Sequence, residues 1–129
     1  MLNRILIAVS IIGALLLFFK LIRRLQLRAI RGTYKITPNE NQLLYFSSAA
    51  CSRCLTQEKI LQQIFGEPTF TDIILKKYSI EKNAALARQW KVITLPTTIL
   101  LSKQGDINKF NNGLISATTL RSQISALKK

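Results

Sequence analysis

The sequence has no histidine, only two cysteines and only six acidic residues in 129. Each shortage excludes something. Without an imidazole there is no Cys–His nucleophile of the protease kind. A c-type haem attachment needs C-x-x-C-H, and Leu55 stands where the histidine would be. A closed zinc site takes four Cys or His ligands, so two thiols per chain would close one only across a dimer. Two cysteines also cannot form the disulfide framework that staples small secreted domains. Internal repeats and low-complexity tracts are absent as well.

Acidic residues are scarcest where basic ones cluster. Through Lys35 there are seven basic residues (Arg4, Lys20, Arg23, Arg24, Arg28, Arg31 and Lys35) and no acidic one. The other twelve basic residues face all six acidic ones, which leaves +6 of the total +13 on the later part. The charge is thus partly a local feature beside an apolar run. That pattern fits a membrane surface better than nucleic acid, which calls for basic residues interleaved with aromatics on one face.

The apolar run is Ile5–Ile22, ILIAVSIIGALLLFFKLI, with Lys20 its only charge. Extended to Leu2 it reaches the roughly 20 residues that span a bilayer as a helix, and Lys20 can snorkel to the interface. A signal peptide would end in a small-residue cleavage site, whereas here large and basic residues follow. A soluble core helix would show a polar face, and this run has only Ser10. The reading is an uncleaved anchor contacting lipid through residues 2–22. LIRRLQLRAIRG then continues as a basic amphipathic stretch ended by Gly32. The more basic flank follows the apolar run, so the charge rule places the remainder in the cytoplasm. The opposite, extracytoplasmic placement is the alternative, since short-tailed single spans can break that rule.

The expected organisation is an anchor and juxtamembrane helix over 1–31, a linker over 32–41 and one domain over 42–129. In that domain Leu43–Ser48 reads as a buried strand, and LTQEKILQQIF has helical apolar spacing stopped by Gly66 and Pro68. Thr71–Ile80 is a second strand, Glu81–Val92 a short helix and Thr97–Ser102 a third strand. KQGD is a turn that uses the backbone freedom of Gly105. INKFNNGL is a fourth strand, and SATTLRSQISALKK a final helix with Ser116 as its N-cap. Alternation of strands and helices favours parallel neighbours at first, and the short turn then forces an antiparallel hairpin.

The two cysteines are Cys51 and Cys54, in CSRC, where a strand gives way to a helix. An inert buried pair sits poorly with the polar Ser52 and Arg53 between them, and a bridge over so short a loop adds little stability. A redox dithiol has a mechanism. Cys51 lies at a helix N-terminus, where unpaired N–H groups and the helix dipole favour a thiolate. The thiolate is the nucleophile of disulfide exchange. Arg53 adds a fixed cation, with a solvated surface role as its plainer reading. Cys54, three residues on, lies on the same face and can attack a mixed disulfide on Cys51.

CSRC after a buried strand, then VITLPTTILL, an apolar strand and a terminal helix, resembles the thioredoxin family from about Leu43 to Lys129. The resemblance implies a three-layer α/β/α fold around a central mixed sheet, preceded here by one transmembrane helix. It implies a cis bond at Pro96, with Thr94, Leu95 and Pro96 binding substrate and the Leu95 backbone pairing with it as an added strand. It implies a thiol-disulfide oxidoreductase in which Cys51 attacks and Cys54 resolves, and the reducing cytoplasm given by the charge rule makes it a dithiol reductase. No cofactor or metal beyond that cysteine pair is implied. The partners are a disulfide-containing protein and an upstream electron donor, with no nucleic acid. A non-catalytic subunit of a membrane complex and an extracytoplasmic reductase of the cytochrome c maturation type are the alternatives. There are departures. Ala50 replaces the Trp often found before the first cysteine, and Ser-Arg replaces Gly-Pro between the two. Tyr45 stands where many members bury an acid, with Glu58 and Lys77 as conceivable substitutes. Trp90 reads as a core residue. The family's extra N-terminal strand is absent or hidden in TYKITP.

Overall fold

The structure, a computed structural model, describes residues 1–31 and 39–129, with the side chains of all of these except Leu2 and residues 23–31. It divides into two units, Met1–Lys35 and Ile36–Lys129. Most of the expected linker, and any strand in TYKITP, lie outside the described residues.

The first unit holds one helix, α1 (Leu2–Arg31). Within it Asn3–Ile22 has a mean hydropathy of 2.8. At 1.5 Å rise per residue this segment is about 30 Å long, the thickness of a bilayer's hydrocarbon core. It is long and apolar enough to cross a membrane, and a signal sequence meets the same two criteria.

The second unit is a four-stranded mixed sheet with helices. The order along the chain is β1 (Asn41–Ser47), α2 (Ser52–Phe65), β2 (Ile73–Ser79), α3 (Ala84–Gln89), β3 (Thr97–Leu101), β4 (Ile107–Asn112) and α4 (Ala117–Leu127). The sheet order is β2-β1-β3-β4. β1 pairs with β2 in parallel, from Asn41↔Ile73 to Ser47↔Ser79. It pairs with β3 antiparallel, from Phe46↔Thr97 to Gln42↔Leu101, and β3 pairs antiparallel with β4. The alternation of elements does not disclose the antiparallel β1–β3 pairing. Every residue of β3 is buried, so its side-chain pattern carries no mark of which neighbour it meets or in which direction.

Side chains of successive strand residues point to opposite faces. On one face Leu43, Tyr45 and Leu100 join Leu61 and Ile64 of α2, Phe70, Ile73, and Leu120 and Ile124 of α4 in a single buried cluster. On the other face Leu44, Phe46 and Ile99 have no exposed surface, and the Phe46 ring stacks on Tyr78 at 5.4 Å. Ala87 of α3 and the adjacent Trp90 are also buried, which makes Trp90 a core residue. The amides of Asn111 and Gln123 exchange two hydrogen bonds, of 2.9 and 3.0 Å, and tie β4 to α4.

Several boundaries move from the apolar pattern. β1 starts at Asn41, two residues early and inside the expected linker, because the ladder to β2 continues through two polar residues, Asn41 and Gln42, that are themselves buried. The second strand shortens to Ile73–Ser79 because Pro68–Phe70 forms a 3-10 turn before it. The expected helix over 81–92 is only Ala84–Gln89. Glu81 is used elsewhere, and Lys91 takes a left-handed φ of +53° that ends the helix. Gly105 has φ +80° in the β3–β4 turn, where its N–H donates to the Ser102 carbonyl at 2.8 Å.

Candidate active site

The parallel β1–β2 ladder and the antiparallel β1–β3 ladder put the end of β1, the end of β2 and the start of β3 at one end of the sheet. Four loops gather there: Ser48–Cys51, Ile80–Asn83, Val92–Pro96 and Gly113–Ser116.

Cys51 is the N-cap residue of α2, with extended backbone (φ −94°, ψ 106°). Its Sγ accepts a hydrogen bond from the Cys54 N–H at 3.2 Å. This is the capping geometry that serines and aspartates usually supply, made here by sulfur. Cys51 and Cys54 are joined as a disulfide, with Cα atoms 5.3 Å apart. The two sulfurs are not equivalent. Cys51 is partly exposed, whereas Cys54 is buried at 4%. An incoming sulfur can therefore reach Cys51 and not Cys54. Arg53, between them, is exposed on the first turn of α2.

Glu81 braces the loop that delivers Cys51. Its carboxylate accepts from the Ser48 hydroxyl at 2.5 Å, from the Ala49 N–H at 3.0 Å and from the Ser79 hydroxyl. These donors, the two hydroxyls foremost, push its pKa down to about 2. The Ser48 carbonyl in turn accepts the Cys51 N–H at 3.2 Å. Glu81 is the site residue that the sequence pattern does not reveal, because its partners at Ser48 and Ala49 lie 33 and 32 positions away.

The Leu95–Pro96 peptide bond is cis. Pro96 is buried, Leu95 half-buried and Thr94 exposed. The Thr97 hydroxyl donates to the Thr94 carbonyl at 2.5 Å, and the Pro96 carbonyl accepts the Gly113 N–H at 2.8 Å. Two residues on, the Ile115 N–H donates to Oε1 of the fully buried Gln57 at 2.9 Å. The Gly113–Ile115 segment thus braces both the proline loop and the cysteine-bearing helix.

Behind the disulfide, the buried Tyr45 hydroxyl donates to the Cys54 carbonyl at 2.9 Å. Burial, and next the nearby Glu58 carboxylate, push the Tyr45 pKa up to about 12. It stays protonated at any working pH, so it holds the helix and accepts no proton from Cys54. Glu58 and Lys77 form an ion pair with each other and remain partly exposed. Among the described residues no group of three or more His, Cys, Asp or Glu gathers to hold a metal.

A strand that delivers a CxxC pair to a helix N-terminus, with a cis proline at the same end of a mixed sheet, defines a thioredoxin-like protein, and this chain is one. No family model matches it. It is 28% identical over 78 residues to thioredoxin H2-2 of Oryza sativa subsp. japonica, covering 60% of this chain and 57% of the rice protein. Over 55 residues it is 33% identical to thioredoxin H2-1 of the same plant, 43% of this chain and 38% of that one. The chain thus spans little more than half the length of the first of these relatives and less of the second. Among solved structures, malaria parasite thioredoxin-2 superposes with a TM-score of 0.65 at 26% identity, covering 73% of this chain and 89% of that one.

Proposed function

We propose that the chain is a membrane-anchored thiol-disulfide oxidoreductase acting as a dithiol reductase through Cys51 and Cys54. The observation that carries this reading is the pair's asymmetry at the start of α2: an accessible sulfur that accepts a backbone N–H, and a buried one a single turn away.

In the reduced form, the α2 N-terminus and the Cys54 N–H favour a thiolate on Cys51. That thiolate attacks a substrate disulfide. A Cys51–substrate S–S bond forms, the substrate S–S bond breaks, and the departing thiolate takes up a proton. Cys54 loses its proton and attacks the Cys51 sulfur. The mixed disulfide breaks, the second substrate thiol leaves, and the Cys51–Cys54 bond closes. An upstream dithiol donor must then reduce that bond before the next turnover. Leu95, beside the cis Pro96, offers its backbone to an extended substrate segment, with Thr94 at the rim. Arg53 adds positive charge beside the thiolate. The residues divide into an anchor over 1–31, a linker over 32–41 and a catalytic domain over 42–129, with the basic flank and the domain in the cytoplasm.

A second reading, a docking subunit without turnover, is favoured by one observation: Tyr45 occupies the position of the family's buried acid and takes no proton. Reduction of a protein disulfide by the full chain in detergent micelles decides between the two. Turnover abolished by Cys51→Ser supports the catalyst, and no turnover above buffer supports the docking subunit. Labelling of reduced Cys51 by an impermeant thiol reagent on intact cells would overturn the cytoplasmic placement.

A further inference from the structure

Among the described residues of Ile36–Lys129, the exposed large apolar side chains are Leu55 (69%), Ile93 (91%), Ile107 (39%) and Leu114 (46%). A single exposed aliphatic residue is ordinary. Here three of the four sit at the cysteine end of the sheet, Leu55 on the first turn of α2 and the other two on loops. Leu55 follows Cys54, Ile93 precedes Pro96 by three positions, and Leu114 follows the glycine whose N–H bonds the Pro96 carbonyl.

Ile93 also lines a cavity of about 230 Å³, whose walls include Ile80, Ala87, Val92 and Leu95. Arg88 is the only charged residue lining it. Ligand and cofactor pockets usually run to about 300–1,000 Å³, so this space fits one side chain rather than a small molecule.

The charge around it is one-sided. Glu58, Glu67 and Asp72 are paired with Lys77, Arg121 and Lys128. Glu81, held by two hydroxyls and a backbone N–H, is the one carboxylate without a cation partner among the described residues at this end, and it keeps its charge. Glu40 and Asp106 lie at the other end of the sheet, before β1 and in the β3–β4 turn. Arg53, Arg88 and Lys91 are exposed at the cysteine end. The three cations outnumber Glu81, so a partner meets aliphatic surface and an excess of positive charge there.

We propose that this rim selects a partner protein whose reactive disulfide lies in an extended, acidic segment, with an aliphatic side chain seated in the Ile93–Leu95 cavity and a carboxylate beside Arg88. The proposal rests on the reading in which Leu95 presents the substrate chain, and it adds the chemical character of that chain.

The test separates recognition from redox chemistry. Binding is measured by fluorescence anisotropy with the full Cys51→Ser/Cys54→Ser chain in non-ionic detergent micelles, using labelled peptides of equal length. One carries leucine and glutamates, a second leucine and lysines, and a third serine and glutamates. The leucine–glutamate peptide should bind about tenfold more tightly than either other peptide at low salt. The glutamate-over-lysine preference should shrink at 0.5 M salt, where exposed charges are screened beyond a few ångström. It should invert with Arg88→Glu, and Ile93→Ser should erase the preference for leucine over serine. Equal affinities for the three peptides, or a charge preference that survives both salt and Arg88→Glu, overturn the proposal. Turnover of the neutral hydroxyethyl disulfide by the wild-type chain reads the redox chemistry separately. Turnover without peptide selectivity sinks the docking surface alone, and selectivity without turnover sinks the reductase alone.

Discussion

The two ends of the sheet are built from the same strands and do opposite things. At the end away from the cysteines, charge is matched. Lys128 pairs with Asp72 at 2.5 Å and lies 5.4 Å from the centre of the Phe70 ring, and its bond holds the Asp72 carboxyl below the usual carboxylate range. Arg121 grips Glu67, beyond the end of α2, with hydrogen bonds of 3.0 and 2.6 Å. A cavity of about 240 Å³ there is lined by polar and charged groups such as Asp72, Ser102 and Lys103. The cysteine end has a cavity of nearly the same size, about 230 Å³, walled by aliphatic side chains. Its cations are exposed, its disulfide is half-open to solvent, and three aliphatic side chains project outward. One end pairs its charges with each other; the other, the Glu81 brace apart, leaves apolar and basic surface open. The contrast shows where the fold is held and where it is used.

The contrast breaks most sharply at Cys51. Cys51→Ser should lower disulfide turnover to the uncatalysed rate, whereas Cys54→Ser should leave substrate covalently attached to Cys51, seen as a mass increase on the intact chain. Next comes the shared core. Leu61→Ala, in the cluster under both ends, should cost about 2–5 kcal/mol in denaturant unfolding. Leu55→Ser at the exposed rim should stay within about 0.5 kcal/mol. Tyr45→Phe removes the hydroxyl that holds the Cys54 carbonyl and should cost about 1 kcal/mol by the same measurement.

The smallest effect is a pH dependence. Glu81 has its carboxyl pulled from 4.5 in a free side chain to about 2 in the folded chain. The unfolded state therefore binds the proton first as pH falls. The stabilisation is fully present above about pH 4.5 and is lost on the way down to about 2. Midpoints of thermal unfolding measured between these values should fall less steeply for Glu81→Gln than for the wild type. An identical slope in the two proteins would put the brace at Glu81 in doubt.

Most of the strand and helix content was legible because apolar periodicity and local stop signals are written within a few residues of each element. Ser116 caps α4 through its hydroxyl, which accepts the Thr119 N–H at 3.2 Å, and an N-cap is a purely local signal. The cysteine pair was legible for the same reason. What escaped was set by distant partners. Asn41 reads as linker and Gln42 falls outside the expected strand, yet both pair with β2 and are buried. Glu81 looks like the first residue of a helix until two serines and the Ala49 amide claim it. The β1–β3 direction is fixed by pairing between uniformly buried strands, and no residue of either announces it.

The bracing of Gly113 and Ile115 has a dynamic consequence. Each amide hydrogen is held by a different wall of the cleft, one by the Pro96 carbonyl and the other by the Gln57 side chain. Deuterium can replace either hydrogen only when that wall lets go. Their two exchange rates are therefore separate clocks for the loosening of the proline loop and of the cysteine helix, and a docked segment that tightens one wall should slow its clock and not the other.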